Sequence, residues 1–431
     1  MKFISIKEAL KKGETKVNLH GWVYRERGSS KFKFIVLRDS SDIIQCVIKK
    51  EEVGDEKFAI ADKIQIETSI EVIGKLRKDS RASGGYEVDV EDFNVIGWSD
   101  KFPLSQDQSV EFLADNRHLW LRSRKMISIL KIRDTVLRAM REHWRSKGFY
   151  EYHSPIFLGM QCEGGSSLFK VPYFDKEVYL SQTWQLHAEP AIFALEKIFT
   201  IQPAFRAEKS QTSRHLTELW MAEMEVAWGD FEYLQEDAEQ MLKHVVKKVL
   251  DENSNELEIL ERDISILKTT VEKEFPKLTY DDVLKLLKDK KDIKIEWGKD
   301  LRTVEEDKLS ELFDTPVIVT RYPKVVKAFY MKEDPKNPKV VLGFDMIGTE
   351  HYGELIGASQ REESIEKLKK NLVEQGEDPG KYEFYFDTRR YGSVPHGGYG
   401  AGVERIVSWI CGLDNIKDAI PFPRTMRRFT P

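Results

Sequence analysis

Three segments of the chain place arginine, histidine and carboxylate side chains near glycine, a combination that suits phosphate chemistry. They are residues 148–155 (Gly-Phe-Tyr-Glu-Tyr-His-Ser-Pro), 205–218 (Phe-Arg-Ala-Glu-Lys-Ser-Gln-Thr-Ser-Arg-His-Leu-Thr-Glu) and 398–405 (Gly-Tyr-Gly-Ala-Gly-Val-Glu-Arg). A guanidinium group stays protonated and matches phosphate oxygens, and glycine lets a backbone approach a nucleotide closely. Taken singly the segments are weak evidence, because an Arg-x-Glu pair is usually a surface ion pair. The glycine run also lacks the acidic ribose partner of a dinucleotide fold, which excludes that fold.

In this order the three segments resemble the three signature motifs of class II aminoacyl-tRNA synthetases. In such enzymes an amino-acid carboxylate attacks the α-phosphate of ATP in line, and positioning and electrostatic stabilisation supply the rate. The resemblance implies that Arg206 binds the α-phosphate and Arg405 the γ-phosphate as the catalytic residues. The rest of the implied ATP site consists of Glu208 at the adenine amino group, Arg214 and His215 at the outer phosphates, Leu219 where relatives stack an aromatic ring on adenine, Glu354 and Gly402.

A metal site is implied by two carboxylates in the segment 343–361. Two acidic residues in a loop are more often simply solvated, but the stretch 354–361 resembles the same family. Magnesium prefers octahedral oxygen ligands and shares phosphate oxygens with its protein ligands. We therefore expect Mg²⁺ as the cofactor, held by Asp345 and Glu354 with help from Ser359.

Further segments narrow the resemblance to the aspartyl/asparaginyl branch of these enzymes. The resemblance covers the chain from about residue 15 to the C-terminus. They are 162–170, 179–186, 206–210 and 390–396, and the stretches 330–335 and 421–424 are similar to archaeal-type asparaginyl enzymes. The expected fold is α+β, with an N-terminal OB-fold barrel and a catalytic domain built on an antiparallel sheet with flanking helices.

Asparagine is the expected amino acid. Aspartate and asparagine have nearly the same shape, so a pocket must separate them by charge and hydrogen-bond polarity. Aspartyl relatives carry a lysine where this chain has Ala188 and an aspartate where it has Glu223. The missing cation and the longer carboxylate favour an amide, whose carbonyl would meet Arg361. The implied amino-acid site is completed by Ser359, and by Glu163 and Gln185 at the α-amino group.

The first 98 residues show strand-like runs separated by polar turns, which suits a small closed barrel such as an OB-fold. The runs are 17–24, 32–38, 43–48, 63–67, 69–74 and 86–90. Phe34 and Gln45 match the residues with which the family stacks on and hydrogen-bonds the central anticodon uridine, and Arg25 and Arg27 would meet phosphate. Stacking and edge contacts are the usual means of reading single-stranded bases. An isolated phenylalanine in a strand is otherwise more often a core residue.

The domains are expected at 1–98 (anticodon-binding), 99–124 (linker) and 125–431 (catalytic). An apolar stripe at spacings of 3 and 4 predicts a helix over 125–146. Strands are predicted at 197–201 and 220–228, and solvated helices in the Lys- and Glu-rich segment 232–290. The segment 147–155 with the preceding helix resembles the family's dimer interface, so we expect a homodimer of two-fold symmetry.

Composition limits the remaining possibilities. The 431 residues carry a formal net charge of −5, and the three cysteines are too far apart for zinc-ligand spacing. The sequence shows neither a signal peptide nor an apolar run of about 20 residues, so we expect a cytoplasmic protein without a membrane partner. The expected partners are ATP, L-asparagine and tRNA(Asn).

Three alternatives stay open. A non-discriminating aspartyl-tRNA synthetase differs only in the amino-acid pocket. A tRNA-independent asparagine synthetase would lack the OB-fold that this chain has. A non-catalytic RNA-binding paralogue would have no need of Arg206, Glu208, Glu354 and Arg405, which are all present.

Overall fold

The computed structural model describes residues 2–105, 108–160, 168–209 and 212–431. The chain divides into two compact units, Met1–Leu113 and Ala114–Pro431. The division falls inside the segment 99–124, where the sequence predicts a linker. The second half of that segment is fixed to the larger unit, because the buried Arg117 guanidinium donates to the carbonyl oxygens of Lys417, Ile420 and Pro421.

The first unit is a closed barrel with strand order β1-β2-β3-β5-β4. Its elements are α1 (Ile6–Lys12), β1 (Lys16–Gly28), β2 (Phe32–Arg38), β3 (Ile43–Lys49), α2 (Lys50–Asp62), β4 (Ser69–Lys78) and β5 (Tyr86–Gly97). Along β2, Ile35 and Leu37 enter the barrel core while Phe34 and Val36 face outward, as the two-residue period of a strand requires. The predicted OB-fold is confirmed.

One predicted strand of the barrel is wrong. Residues 63–67 form a turn after α2, and Glu67 has a positive φ of 67°. The buried Glu67 carboxylate accepts two hydrogen bonds from Arg38, which fixes this turn against β2. Of the two apolar residues in this segment, Ile64 is buried and Ile66 is exposed, so the alternating pattern of 63–67 does not mark a strand with one buried face.

The second unit is built on an eight-stranded, mostly antiparallel sheet of order β12-β13-β16-β17-β18-β11-β10-β6. After α3 (Val110–Asp115), which crosses the division, its elements are α4 (Arg117–Trp120), α5 (Arg124–Ser146), β6 (Tyr150–Glu151), β7 (Phe157–Leu158), β8 (Lys170–Tyr173), β9 (Lys176–Leu180), α6 (Gln185–Leu195), β10 (Lys197–Phe205), β11 (Glu218–Ala227), α7 (Phe231–Glu252), α8 (Ser254–Ile259), α9 (Ser265–Glu272), β12 (Lys277–Thr279), α10 (Tyr280–Lys291), α11 (Thr303–Ser310), β13 (Val317–Thr320), β14 (Glu333–Asp334), β15 (Asn337–Val341), β16 (Gly343–Gly348), β17 (Gly353–Gln360), α12 (Ile365–Glu374), α13 (Glu383–Arg390), β18 (His396–Gly402) and α14 (Val403–Cys411). The predicted α+β class is confirmed.

Helices α5 and α7 cover one face of this sheet. The predicted helix over 125–146 is α5, capped by Ser123 and followed by Gly148 at a φ of 83°. The prediction of a solvated helix is wrong for α7, because one of its faces is buried in the main core through Leu234, Met241 and Val245. In the parts of the chain that the structure describes, no helix is both long and apolar enough to cross a membrane.

Candidate active site

The opposite face of the sheet carries a cavity of about 250 Å³ between β11, β17 and β18. Strand β11 shows why the charged side chains point there: Ala222 and Met224 enter the core, whereas Glu223 and Glu225 reach the cavity. Among the described residues, the charged ones that line the cavity are Arg206, Glu223, Glu225, Lys327, Asp345, Glu354 and Arg361. Residues distant in the sequence are therefore brought into one site.

The floor of the cavity is the glycine-rich strand β18. A Cβ atom at Gly398 would lie 2.1 Å from the backbone oxygen of Met224 and 2.2 Å from Oε2 of Glu225. At Gly400 it would lie 2.9 Å from Cε of Met221. Glycine is therefore required here so that the floor stays flat and the neighbouring carboxylate fits, which gives the glycine run a steric reason.

The predicted phosphate-binding residues gather at one end of the site. Burial lowers the pKa of His215, the Glu208 carboxylate opposes that change, and the nearby guanidinium groups of Arg405, Arg206 and Arg214 reinforce it. The imidazole of His215 is therefore neutral at pH 7, among three cations. Such a cluster of fixed cations is suited to the oxygens of a triphosphate.

Of these three arginines, Arg206 lines the first cavity, whereas Arg214 and Arg405 line a second cavity of about 270 Å³. Arg405, in the first turn of α14, donates to the backbone oxygen of Glu354, and Arg214 Nη2 lies 2.7 Å from Oδ1 of Asp307. Gly402 is the N-cap residue of α14, beside Arg405. The contact between Arg405 and Glu354 joins this second cavity to the carboxylates of the first.

Leu219 does not line either cavity among the described residues. It packs in a small apolar cluster with Leu216, Ile416 and Ile420. Trp220, its neighbour, packs against both this cluster and the main core. A contact between Leu219 and adenine stays a prediction.

Asp345 and Glu354 converge as the metal prediction requires. A Cβ atom at Gly357 would lie 2.7 Å from Oε1 of Glu354 and 3.7 Å from Oδ1 of Asp345, so both carboxylates lie over this one glycine. Burial and the charge of Glu354 raise the pKa of Asp345 to about 6, against the pull of Lys327. Carboxylate oxygens that repel one another in a buried site fit a hard divalent cation such as Mg²⁺.

Two further acidic residues beside this pair were not predicted from the sequence. The raised pKa values of Asp300 and Glu306 both reflect burial first and repulsion by Glu354 as well. Glu306 lies on α11 and Asp300 precedes it, in a segment without a motif. A short helix whose carboxylate faces β17 gives no periodic signal, so only the fold reveals these two.

Replacing Glu306 with glutamine is expected to raise the melting temperature at alkaline pH and not at acidic pH. Burial, Glu354 and Asp345 raise the pKa of the Glu306 carboxyl from 4.5 to about 8. A carboxyl group whose pKa is higher in the folded than in the unfolded protein lowers the stability of the fold as the pH rises from the unfolded-state pKa through the folded-state pKa. Glutamine cannot ionise and so avoids this loss. Melting curves in EDTA at pH 4.5 and pH 9 measure this, and an equal shift at both pH values would contradict it.

At the amino-acid end, Arg361 is held more tightly than the sequence suggests. Its Nε and Nη2 atoms donate to the two carboxylate oxygens of Glu225 at 2.9 and 2.8 Å, and Nη1 donates to Oγ of Ser359 at 2.7 Å. Glu225 was not among the predicted site residues. Ser359 is thus bound to the guanidinium, and its role as a metal ligand stays a prediction.

The carboxylate of Glu223 is held by the segment that precedes α6. It accepts from Oγ1 of Thr183 at 2.5 Å and from the backbone nitrogen of Trp184 at 3.1 Å. The methyl group of Ala188 packs in an apolar cluster with Trp184 and Ile192, and Ala188 is not among the described residues lining the cavity. A place for Ala188 in the amino-acid site stays a prediction. Glu163 lies outside the described residues.

A buried network behind Arg361 was also missed. Glu189 Oε1 accepts from Gln185 Nε2 and Tyr385 Oη, both at 2.9 Å. Its Oε2 atom lies 2.6 Å from Nη2 of Arg389 and 3.1 Å from Nε2 of His396. Although burial opposes ionisation, Arg389 and His396 hold the pKa of Glu189 well below its usual range. Ligand atoms of Glu189, Glu225 and His396 lie within 4.8 Å of one another, but the nearby guanidinium groups make this a salt-bridge network, not a metal site.

The predicted anticodon residues share one outer surface of the barrel unit. Arg25 pairs with Val36 and Arg27 with Phe34 across β1 and β2, and Gln45 pairs with Val36 across β2 and β3. The Arg27 guanidinium lies 4.8 Å from the centre of the Phe34 ring, and Gln45 Nε2 donates to Glu87 at 2.8 Å. Phe34 is therefore a half-buried surface residue and not part of the barrel core.

Comparison with known proteins agrees with this architecture. Residues 109–426 match the family model described as tRNA synthetases class II (D, K and N), and residues 17–96 match an OB-fold nucleic acid binding domain. Asparagine–tRNA ligases of Thermoplasma acidophilum and Thermococcus gammatolerans are 45% and 47% identical to the chain, over 97% and 96% of both chains. A solved asparaginyl-tRNA synthetase of Pyrococcus horikoshii, complexed with asparaginyl-adenylate, superposes over 100% of both chains with a TM-score of 0.96 at 44% identity. The chain therefore belongs to the class II tRNA synthetases of the D, K and N family.

Proposed function

We propose that the chain is an asparagine–tRNA ligase that activates L-asparagine with ATP and transfers it to tRNA(Asn). The observation that carries the proposal is the pocket in which Glu223 and the Arg361–Glu225 pair line one cavity with the phosphate-binding Arg206. Glu225 neutralises Arg361, and Glu223 adds a carboxylate that can accept from an amide and repels a second carboxylate. The similarity to asparagine–tRNA ligases over nearly the whole chain supports the same substrate.

In the first step, an asparagine carboxylate oxygen forms a bond to the α-phosphorus while the bond to the β-phosphate oxygen breaks, releasing pyrophosphate. Arg206 stabilises the charge on the α-phosphate, and Arg405, Arg214 and His215 hold the outer phosphates. Asp345 and Glu354 would hold Mg²⁺, which supplies further charge stabilisation to the phosphate oxygens. In the second step the terminal ribose 3′-hydroxyl attacks the carbonyl carbon and AMP leaves.

The test of this function is aminoacylation of a tRNA(Asn) transcript with radiolabelled asparagine. We expect asparaginyl-tRNA to form with this transcript. With a tRNA(Asp) transcript under the same conditions, we expect no asparaginyl-tRNA. Release of free asparagine from aspartate, ATP and ammonia would instead support the asparagine synthetase alternative. Activity with neither would favour a non-catalytic RNA-binding protein.

Replacement of Phe34 with alanine is expected to lower tRNA charging by about 5- to 150-fold, since stacking of one base on an aromatic ring is worth about 1–3 kcal/mol. Pyrophosphate exchange, which needs no tRNA, should be unchanged in the same protein. Phe3, partly exposed and packed on His20, offers a matched control on this unit, and its alanine variant should charge normally. Equal loss of exchange and charging would refute the anticodon role of Phe34.

A homodimer is also proposed. Strand β6 is the edge of the eight-stranded sheet, and its Tyr150 side chain is exposed. An exposed edge strand offers unpaired backbone groups that a second copy of the chain can cover. A location in the cytoplasm stays a prediction.

A further inference from the structure

A lysine forms an ion pair with Asp345, one of the two carboxylates that are expected to hold the metal. Lys327 Nζ lies 2.6 Å from Oδ2 of Asp345, and its ammonium group lies 3.9 Å from the centre of the Tyr322 ring. Asp300 and Glu354 act electrostatically on the same ammonium group. Carboxylates and an aromatic face on the same side are the surroundings of a bound cation. The chain thus supplies its own cation at this place.

The position of Lys327 in the fold explains this contact. It directly follows a single 3-10 turn (Lys324–Val326), and its backbone oxygen accepts from Nε2 of Gln375 at 3.0 Å. The side chain lies in the cavity wall, with only 13% of its surface exposed. The backbone of Lys327 is therefore fixed beside the cavity, and its ammonium group is largely shielded from bulk water.

A divalent cation and the ammonium group compete for one ligand. Asp345 carries a single negative charge, and an ammonium group at 2.6 Å already neutralises it. A metal ion that binds alone must displace this contact and then remain close to a positive charge. When a metal ion arrives with a triphosphate, the phosphate oxygens bring new negative charge, to which the released ammonium can turn.

We propose that Lys327 is a positioning residue for the metal site: it holds Asp345 in the nucleotide-free protein and keeps free divalent cations weakly bound, so that the metal enters with ATP. The inference rests on the proposed function only in assigning Asp345 and Glu354 as magnesium ligands. It concerns the binding of divalent cations to the free protein, before ATP or the amino acid binds.

The test is Mn²⁺ binding to the full-length protein without nucleotide, measured by electron paramagnetic resonance of the free ion. Lys327→Met is expected to bind Mn²⁺ at least about tenfold more tightly than the wild type, because one positive charge beside the ligand is removed. Lys327→Arg keeps the charge and should bind as the wild type does. Lys332→Met is a control, since Lys332 pairs with Glu363, outside the cavity lining.

Unchanged or weaker Mn²⁺ binding in Lys327→Met would overturn the proposal, as would the absence of binding in both proteins. Lys327→Gln provides a second neutral variant if the methionine variant does not fold, with the same expected gain. A second measurement adds ATP: the difference between wild type and Lys327→Met should shrink, because the nucleotide supplies its own oxygen ligands. These readouts do not depend on the amino acid, so failure of the asparagine assignment would leave them unaffected.

Discussion

Replacement of Arg206 with alanine is expected to lower asparagine-dependent pyrophosphate exchange by at least about 10²- to 10³-fold, the usual cost of removing one fixed donor from a site of developing charge. Arg206 follows β10 directly, and its backbone nitrogen donates to the carbonyl oxygen of Thr217 at 3.0 Å, so the loop closes back on itself. The guanidinium is therefore presented to the cavity from a fixed backbone. The loss should fall mainly on kcat, because the charge on the α-phosphate grows in the transition state.

Two further variants make this prediction specific. Arg206→Lys should restore little activity, since an ammonium group cannot make the bidentate contact of a planar guanidinium. Arg302→Ala is the control, because Arg302 is an exposed arginine of the same unit that pairs only with Glu305 among the described residues. Exchange in Arg206→Ala within about threefold of the wild type would contradict the assigned role.

Replacement of Gly398 with alanine is expected to remove activity to a similar degree, at least about 10²-fold, for a steric reason. The added Cβ would lie 2.1 Å from a backbone oxygen of β11, and a backbone atom in a central strand cannot move aside. Strand β18 would have to separate from β11 and displace Glu225, which holds Arg361. A shift of about 1 Å in a positioned group can cost 10²-fold in rate.

The neighbouring Gly402 offers the structural control for this prediction. A Cβ atom there would lie 3.6 Å from Cβ of Arg405, which is an ordinary contact. The melting temperature of Gly402→Ala should therefore stay close to that of the wild type, while that of Gly398→Ala falls. A Gly398→Ala protein with wild-type stability and exchange would show that the floor of the cavity is not constrained as described.

The sequence predicts several residues that line the cavity, but not the residues that support them. Arg206, Asp345, Glu354 and Arg361 occur in segments with family character, and they do line one cavity. Lys327, Glu225 and Glu189 could not be found in this way. Their function depends on partners 18, 136 and 196 residues away along the chain, and pairings of this kind leave no trace in local spacing.

The fold shows the same division between local and long-range information. Helix α5 is predicted because its apolar stripe has a helical period, and the barrel strands because they alternate. The segment 63–67 alternates too, yet it forms a turn held by the ion pair of Glu67 with Arg38. At position 188 the sequence shows that the lysine of aspartyl relatives is missing. The place of Ala188 in an apolar cluster is set by tertiary packing, which the sequence does not show.

Selectivity for the amino acid is the central claim, and pyrophosphate exchange with asparagine and with aspartate, measured side by side on the unmodified protein, tests it most directly. Because Glu225 neutralises Arg361 and Glu223 adds a carboxylate, kcat/KM for asparagine is expected to exceed that for aspartate by at least about 10²-fold, in keeping with the discrimination of polar pockets. Equal values would indicate a non-discriminating enzyme, and a preference for aspartate would contradict the account of the pocket.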